Sequence, residues 1–376
     1  MIPRRALPAL LLPLLAACGA AAQNDAPVRS ERASFRVTAF ASGLERPWGA
    51  AFLPDGSLLV TERPGRMRLV SRDGRVSAPL GGVPAVEAAG QGGLHDVQVA
   101  PDFATTREVL FCSASLGEGG ALTRLHRARL APDGQGLQEA RTLLDAAPGQ
   151  AQGRQHFGCR IVFGRDGFVY LSTGERGERQ RSQLLGDLAG KVLRLTRDGR
   201  PAPGNPFAGR AGARPEIFSY GHRNPQGLAL NPSTGGLWLA EMGPRGGDEV
   251  NLVRPGANYG WPVVTHGREY FGPRISDRTE APGIENALHV WTPSVSPSGI
   301  AFYQGDAFPG WRGSLFIAAL NSPGLVRLST EGDRVTGEER LLWGLARMRH
   351  VVVGPDGRVY ILTDETNGRI LRLDPA

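Results

Sequence analysis

One phrase recurs six times along the chain: an apolar run, a turn built on Asp, Pro or Gly, then a second apolar run. It reads GAAFLPDGSLLVTE from Gly49, DVQVAPDFATTREVLFCS from Asp96 and RIVFGRDGFVYLSTG from Arg160. It returns as GLALNPSTGGLWLAE from Gly227, GIAFYQGDAFPGWRGSLFIAA from Gly299 and HVVVGPDGRVYILTD from His350. Two alternating runs split by such a turn form a β-hairpin. Several copies continue into a third run, as in GRMRLVSRDG, GKVLRLTRDG, GLVRLSTEG and GRILRLDP. A lone hairpin cannot bury both of its faces, so the copies must stack. Their turns lie about fifty to seventy residues apart, too far for a solenoid coil and suited to a four-stranded blade with long inner loops. The predicted fold is therefore all-β, a six-bladed β-propeller of four-stranded antiparallel blades. The strand FRVTAF, Phe35 to Phe40, stands before the first copy, and RILRL ends the last. Pairing these two in one sheet would fasten the ring and cover its edges.

Composition agrees with many short strands: 52 glycines and 29 prolines favour turns over long helices. With 376 residues the chain exceeds what one simple core usually supports, which a repeat architecture resolves. No GxGxxG stands between a strand and a helix, which disfavours a nicotinamide-binding fold.

The N-terminus reads as an export signal. Arg4 and Arg5 precede an apolar stretch from Ala6 to Ala17, too short to span a bilayer as a mature helix. Leu15-Ala16-Ala17-Cys18 resembles a bacterial lipobox. Residues 1–17 are accordingly expected to be a signal peptide cut before Cys18, whose sulfur takes lipid; an ordinary secretory cut near Ala20 to Ala22 is the alternative. Residues 18–34 read as a flexible tether and 35–376 as the propeller, giving a periplasmic protein held to a membrane only by its lipid. The other two cysteines, Cys112 and Cys159, are far apart in sequence and are expected to be free, buried thiols. The seven histidines show no zinc-like spacing.

The formal charge is +7, and Lys191 is the only lysine, so almost all base content is arginine. No basic run is interleaved with aromatics, which gives a nucleic-acid partner little support. In a propeller the segments entering each innermost strand gather around the axis. Those positions hold Gln91, His156, Arg223 with Asn224, Ser294, and Arg347 with Arg349, so five of six copies send polar groups to one mouth. Three guanidiniums there repel one another unless anions lie between them, and their planar fork suits carboxylates or phosphates. A multiply anionic ligand is expected. The segment EMGPRGGDEVNLVRPGANYGWP adds exposed carbonyls at Gly243-Pro244 and the carboxylates of Asp248 and Glu249, hard oxygens of the kind calcium takes.

GQGGLHDVQVAPDF, HFGCRIVFGRDG, GKVLRLTRDG, GHRNPQGLA, GPRGGDEVNLVRPGANYGWP and RMRHVVVGPDG, in this order, resemble the soluble quinoprotein sugar dehydrogenases. This is the glucose/sorbosone dehydrogenase family, and its aldose sugar dehydrogenase branch is the nearer likeness. The resemblance runs from about Leu44 to Leu373. It implies a propeller that holds pyrroloquinoline quinone (PQQ) and calcium and oxidises the anomeric hydroxyl of aldoses to lactones, passing electrons to an acceptor that the sequence does not identify. It further implies His156 as general base with Glu175 as its carboxylate partner. Arg223, Asn224, Arg347 and Arg349 would hold the quinone, with Gln91 and Ser294 as further contacts. The Gly243 and Pro244 carbonyls would ligate calcium, Asp248 would support their loop, and Glu249 and Tyr259 match a second, structural calcium. Some relatives place a lysine against the cofactor where this chain has Asn321, a loss of charge. Two rival readings remain: a calcium-dependent propeller lactonase, disfavoured because three arginines repel a lone cation, and a non-catalytic lipid-anchored scaffold.

Overall fold

The computed structural model describes residues 26–376, and the expected signal peptide and Cys18 lie outside them. Six antiparallel sheets follow one another as the six repeats do. Blade 2 comprises Leu94–Val99, Glu108–Gly117, Gly120–Leu130 and Leu137–Asp145. Blades 3 to 5 likewise have four strands each, in sequential order. Helix is confined, among the described residues, to Phe103–Thr106 and two short 3-10 turns.

The turns form for the reason their sequence gives. In blade 3 the Asp166 side chain accepts the Phe168 amide at 3.2 Å, and Gly167 takes a φ of +82°. That left-handed conformation is nearly free for glycine and costly for other residues. Asp55 and Asp356 repeat the contact with Ser57 and Arg358, at 2.9 and 3.1 Å. The second strand of a blade then lies between neighbours on both sides. Leu58–Glu62, Val169–Thr173, Leu237–Glu241, Leu315–Ala319 and Val359–Thr363 are buried at every residue. Each such Val, Leu or Ile contributes about 1.5–3 kcal/mol on burial, so the blade-to-blade packing holds the ring.

Ring closure is as the sequence predicts. Ser34–Leu44 pairs antiparallel with Gly368–Pro375, joining both ends of the chain in blade 6. That sheet has five strands, and blade 1 keeps three: Pro47–Phe52, Leu58–Glu62 and Arg66–Val70. The expected tether is corrected over its last residues. Val28–Arg29 pairs with Ser34 and Phe35, the Glu31 carboxylate bridges Arg327 at 3.0 Å, and Ser30 accepts the Trp311 indole N–H at 3.2 Å. These contacts bind the segment to blades 5 and 6.

The expectation of free thiols is also corrected. Cys112 and Cys159 form a disulfide across blades 2 and 3, their Cα atoms 5.9 Å apart. Adjacent blades bring together two positions that lie 47 residues apart, a proximity that spacing alone does not reveal.

The axis is filled by one position of the repeat. Aligned on their first apolar run, the six copies carry Gly49, Asp96, Arg160, Gly227, Gly299 and His350 there. Arg160 donates to Asp96 at 2.9 Å, to the Gln226 carbonyl at 2.9 Å and to His350 Nδ1 at 3.3 Å. The glycines leave the room this needs: a β-carbon on Gly299 would fall within the His350 ring, and one on Gly49 would lie 2.9 Å from Asp96. Polar side chains from three blades thus plug the channel, and the mouth lies above them.

Candidate active site

At the entry to blade 3, His156, Gly158 and Cys159 all have positive φ, +52°, +64° and +75°. For a histidine this is a sparsely populated conformation, of the kind that clusters at functional sites. The strained turn is fixed by neighbouring blades. Gln91 accepts the His156 amide at 2.8 Å, and Asn224 accepts the Gly158 amide at 3.2 Å. Gln91 and Asn224 therefore act on the backbone that carries the imidazole.

The ring itself is oriented by Glu175, whose Oε2 lies 2.9 Å from Nδ1. The carboxylate also accepts the Gly177 amide, while the Glu175 amide donates to the Arg223 carbonyl at 2.9 Å. Among the described residues nothing bonds Nε2, and 9% of the side chain stays exposed. Burial pulls the His156 pKa below the ordinary imidazole value, against the opposing pull of Glu175. Burial would raise the Glu175 carboxyl, yet the hydrogen bond to His156 and the charge of Arg223 hold it below the usual range. A neutral imidazole with Nδ1 engaged and Nε2 open is able to accept a proton.

Arg347 and Arg349 share a carboxylate that the sequence did not single out. Arg349 donates to Asp364 at 2.8 Å and to the Gln226 side chain at 2.7 Å. Arg347 donates to the Leu320 carbonyl at 2.9 Å and reaches the same Asp364 at 3.4 Å. Asp364 was not singled out from the sequence, where it is one of many strand-end acids; the arginines two residues apart in blade 6 were the available signal. Burial would raise the Asp364 carboxyl, but Arg349, Arg347 and Arg63 hold it down. Arg223 donates to the carbonyls of Met242 and Gly243, both at 2.9 Å, and lies over the Trp261 ring. The Nε atoms of Arg223 and Arg349 are buried and have no partner among the described residues. Such orphaned donors are costly unless a further acceptor arrives.

Ser294 and Asp248 staple blades 4 and 5 and do not present free groups to the mouth. Asp248 accepts the Gly243 amide at 2.8 Å with one oxygen. The other accepts the Ser294 hydroxyl and the amides of Val295 and Ser296, each at 2.7 Å. Burial nonetheless pushes the Asp248 pKa up. Asn321 borders the mouth, its amide donating to the Ser294 carbonyl at 3.3 Å.

Beside the Gly243 loop lies a cavity of about 10 Å³, roughly one water-sized sphere, lined by Arg223, Glu241, Glu249, Tyr259 and Trp261. Burial and the neighbouring Glu241 push the Glu249 pKa up to about 8. Two carboxylates crowded beside a small void suit a cation. Among the described residues no group of three His, Cys, Asp or Glu side chains could hold a metal, so main-chain oxygens would have to complete a shell. The Tyr259 hydroxyl is spent on the Leu252 carbonyl at 2.6 Å and the Arg254 amide at 2.8 Å.

Sequence reasoning missed His222. Its Nδ1 lies 2.9 Å from Glu241, its Nε2 lies 2.9 Å from the Ser219 hydroxyl, and its ring stacks on Tyr259. Lys191 is also placed: its ammonium donates to the carbonyls of Arg181, Ser182 and Ala189 at 2.9, 3.0 and 2.6 Å. Burial draws its pKa down to about 7. Through Ser182, which donates to the Trp261 carbonyl at 2.6 Å, it ties blade 3 to the floor under Arg223.

A strained, carboxylate-paired histidine beside a guanidinium at the mouth of a six-bladed ring defines a propeller with a proton-accepting group at its opening. The family model for glucose/sorbosone dehydrogenase matches residues 44–372, and the chain belongs to that family. The aldose sugar dehydrogenase YliI of Escherichia coli (strain K12) is 43% identical over 348 residues, spanning 91% of this chain and 94% of that protein. The crystal structure of the soluble E. coli aldose sugar dehydrogenase in its apo form superposes with a TM-score of 0.87 at 41% identity, covering 91% of this chain and all of that one. The PQQ-bound aldose sugar dehydrogenase of Streptomyces coelicolor superposes with a TM-score of 0.75 at 33% identity, covering 93% and 99%. Its relatives make this chain a sugar dehydrogenase.

Proposed function

We propose that the protein oxidises aldoses at the anomeric carbon to lactones, with PQQ and calcium as cofactors and His156 as the base. The observation that carries this reading is the His156–Glu175 pair with its open Nε2, set beside guanidiniums that retain buried, unpartnered N–H groups. A tricarboxylate fits that surplus of donors. Arg223, Asn224, Arg347 and Arg349 would hold it, while the Met242 and Gly243 carbonyls already converge on a positive group, the Arg223 guanidinium. Gly243 and Pro244 would offer main-chain oxygens to the catalytic calcium, and Glu249 and Tyr259 would flank the second ion. When bound, the quinone supplies the hydride acceptor and calcium the Lewis acid that polarises it.

The chain's own residues supply the rest. His156 takes the proton of the anomeric hydroxyl at Nε2. Glu175 fixes the tautomer by accepting Nδ1–H and stabilises the imidazolium that forms. Gln91 and Asn224 hold the strained turn so that the ring need not reorganise. The interblade disulfide supports an exported, oxidising location, with the lipid anchor at Cys18 as the proposed attachment.

The test is reconstitution. Cofactor-free protein given calcium and PQQ should reduce an artificial electron acceptor when an aldose is added, and His156→Ala should lose turnover while retaining cofactor uptake. Lactone hydrolysis without PQQ would establish the lactonase rival. Failure to bind PQQ and to turn over either substrate would leave the scaffold.

A further inference from the structure

Five blades send polar groups to the mouth through the segment that enters their first strand; in blade 1 that register holds Glu45, which pairs with Arg66 at 2.7 Å, and Arg46. A further arginine of blade 1 comes from the other end of the hairpin. Arg63 follows Leu58–Glu62, and its main chain is fixed on both sides: its amide donates to the Arg46 carbonyl at 3.1 Å, and its carbonyl accepts the Leu94 amide at 3.0 Å. The side chain runs across Gly93, where a β-carbon would lie 2.7 Å from Arg63 Cγ. The guanidinium thus reaches the loop of Gln91 and donates from Nη1 to the Gly90 carbonyl at 2.8 Å.

Charge at this place is out of balance. The field of Asp364 is felt by Arg349, Arg347 and Arg63, and one carboxylate cannot neutralise three guanidiniums. Arg349 and Arg347 bond to it directly. Among the described residues Arg63 forms no ion pair, and its one hydrogen bond to the protein uses one of five N–H donors. It is half-buried and feels the attraction of Asp364 together with the repulsion of Arg46 and Arg349.

Resting on the PQQ reading above, we propose that Arg63 is a cofactor-binding residue, donating to a carboxylate of the bound quinone from the blade 1 side of the mouth. This completes the set, with every blade represented. It also adds a cation to a mouth to which the Asn321 side chain brings none.

The experiment is equilibrium binding of PQQ, with calcium present, to cofactor-free protein, followed by quenching of tryptophan fluorescence. Arg63→Gln should raise the Kd about tenfold, the loss of one charge-assisted hydrogen bond, and Arg63→Lys should recover part of it. The melting temperature of the cofactor-free protein should stay within about 2 °C, since the side chain makes a single hydrogen bond at the rim. The trimethyl ester of PQQ gives the second arm. Arg63→Gln should cost less than about twofold with the ester, because the anion that Arg63 meets is gone. An unchanged Kd for the acid, or an equal loss for acid and ester, overturns the role of Arg63 and leaves the PQQ reading intact. Absence of PQQ binding to the wild-type protein overturns both.

Discussion

Blades 3 and 4 each carry a histidine paired with a glutamate 19 residues on, with Nδ1 and the carboxylate 2.9 Å apart in both. The resemblance ends at the other nitrogen. In His222 it is bonded to Ser219, the ring is sandwiched on Tyr259, and the side chain is 0% exposed. In His156 it faces an opening, and the backbone beneath is strained. One pair is a buried network that holds blade 4 together and fixes the Arg223 amide through Glu241 at 2.8 Å. The other can exchange a proton with a visitor. A histidine–carboxylate pair is therefore chemistry only where its far nitrogen has been left without a partner.

Substitutions separate the two pairs most sharply at the imidazoles. His156→Ala should lower kcat by about 10²–10⁴-fold in dye-reduction assays, with a smaller loss in chemical denaturation than His222→Ala, since it deprives Glu175 alone of a partner and its far nitrogen makes no protein contact. His222→Ala should do the reverse. It leaves Glu241 and Ser219 with a missing partner in a sealed site, and should cost about 2–4 kcal/mol in urea unfolding. Equal losses of stability for both variants would erase the distinction.

The carboxylates come next. Glu175→Gln should reduce kcat by about tenfold to a hundredfold, because the amide cannot balance the charge of the imidazolium. It should also move the acid limb of kcat/KM. Burial already sets the His156 pKa below 6.5, so the wild-type rate should fall only below that pH. Glu175 pulls the value upward, and its removal therefore shifts the limb to still lower pH. A shift to higher pH would contradict the assigned pairing. The smallest effect is expected at Ser219→Ala, about 1 kcal/mol of stability and no change in the pH limb, because the nitrogen it uncovers remains sealed.

The ring and its closure were legible because alternation and Asp-Gly turns are local signals repeated six times. His156 was legible through register, since its place in the repeat matches that of other polar groups. His222 was not, because the same register drew attention to Arg223 beside it. Gln91 and Ser294 were found as polar residues of the mouth, but their work on the His156 amide and on Asp248 depends on neighbouring blades meeting at hydrogen-bond distance. The Cys112–Cys159 link depends on the same meeting. The axial plug carried a readable sign, three glycines sharing one aligned position with Asp96, Arg160 and His350, which emerges only when the six copies are set in column.

Closure of the ring by Ser34–Leu44 on Gly368–Pro375 also governs when a mouth can exist. Ser34–Leu44 must wait for Gly368–Pro375, made much later, and Arg347, Arg349 and Asp364 belong to the blade that this late arrival completes. A chain still emerging from the ribosome, or one shortened by its final strand, offers no finished cradle. Loading with any small molecule is thus reserved for the complete polypeptide.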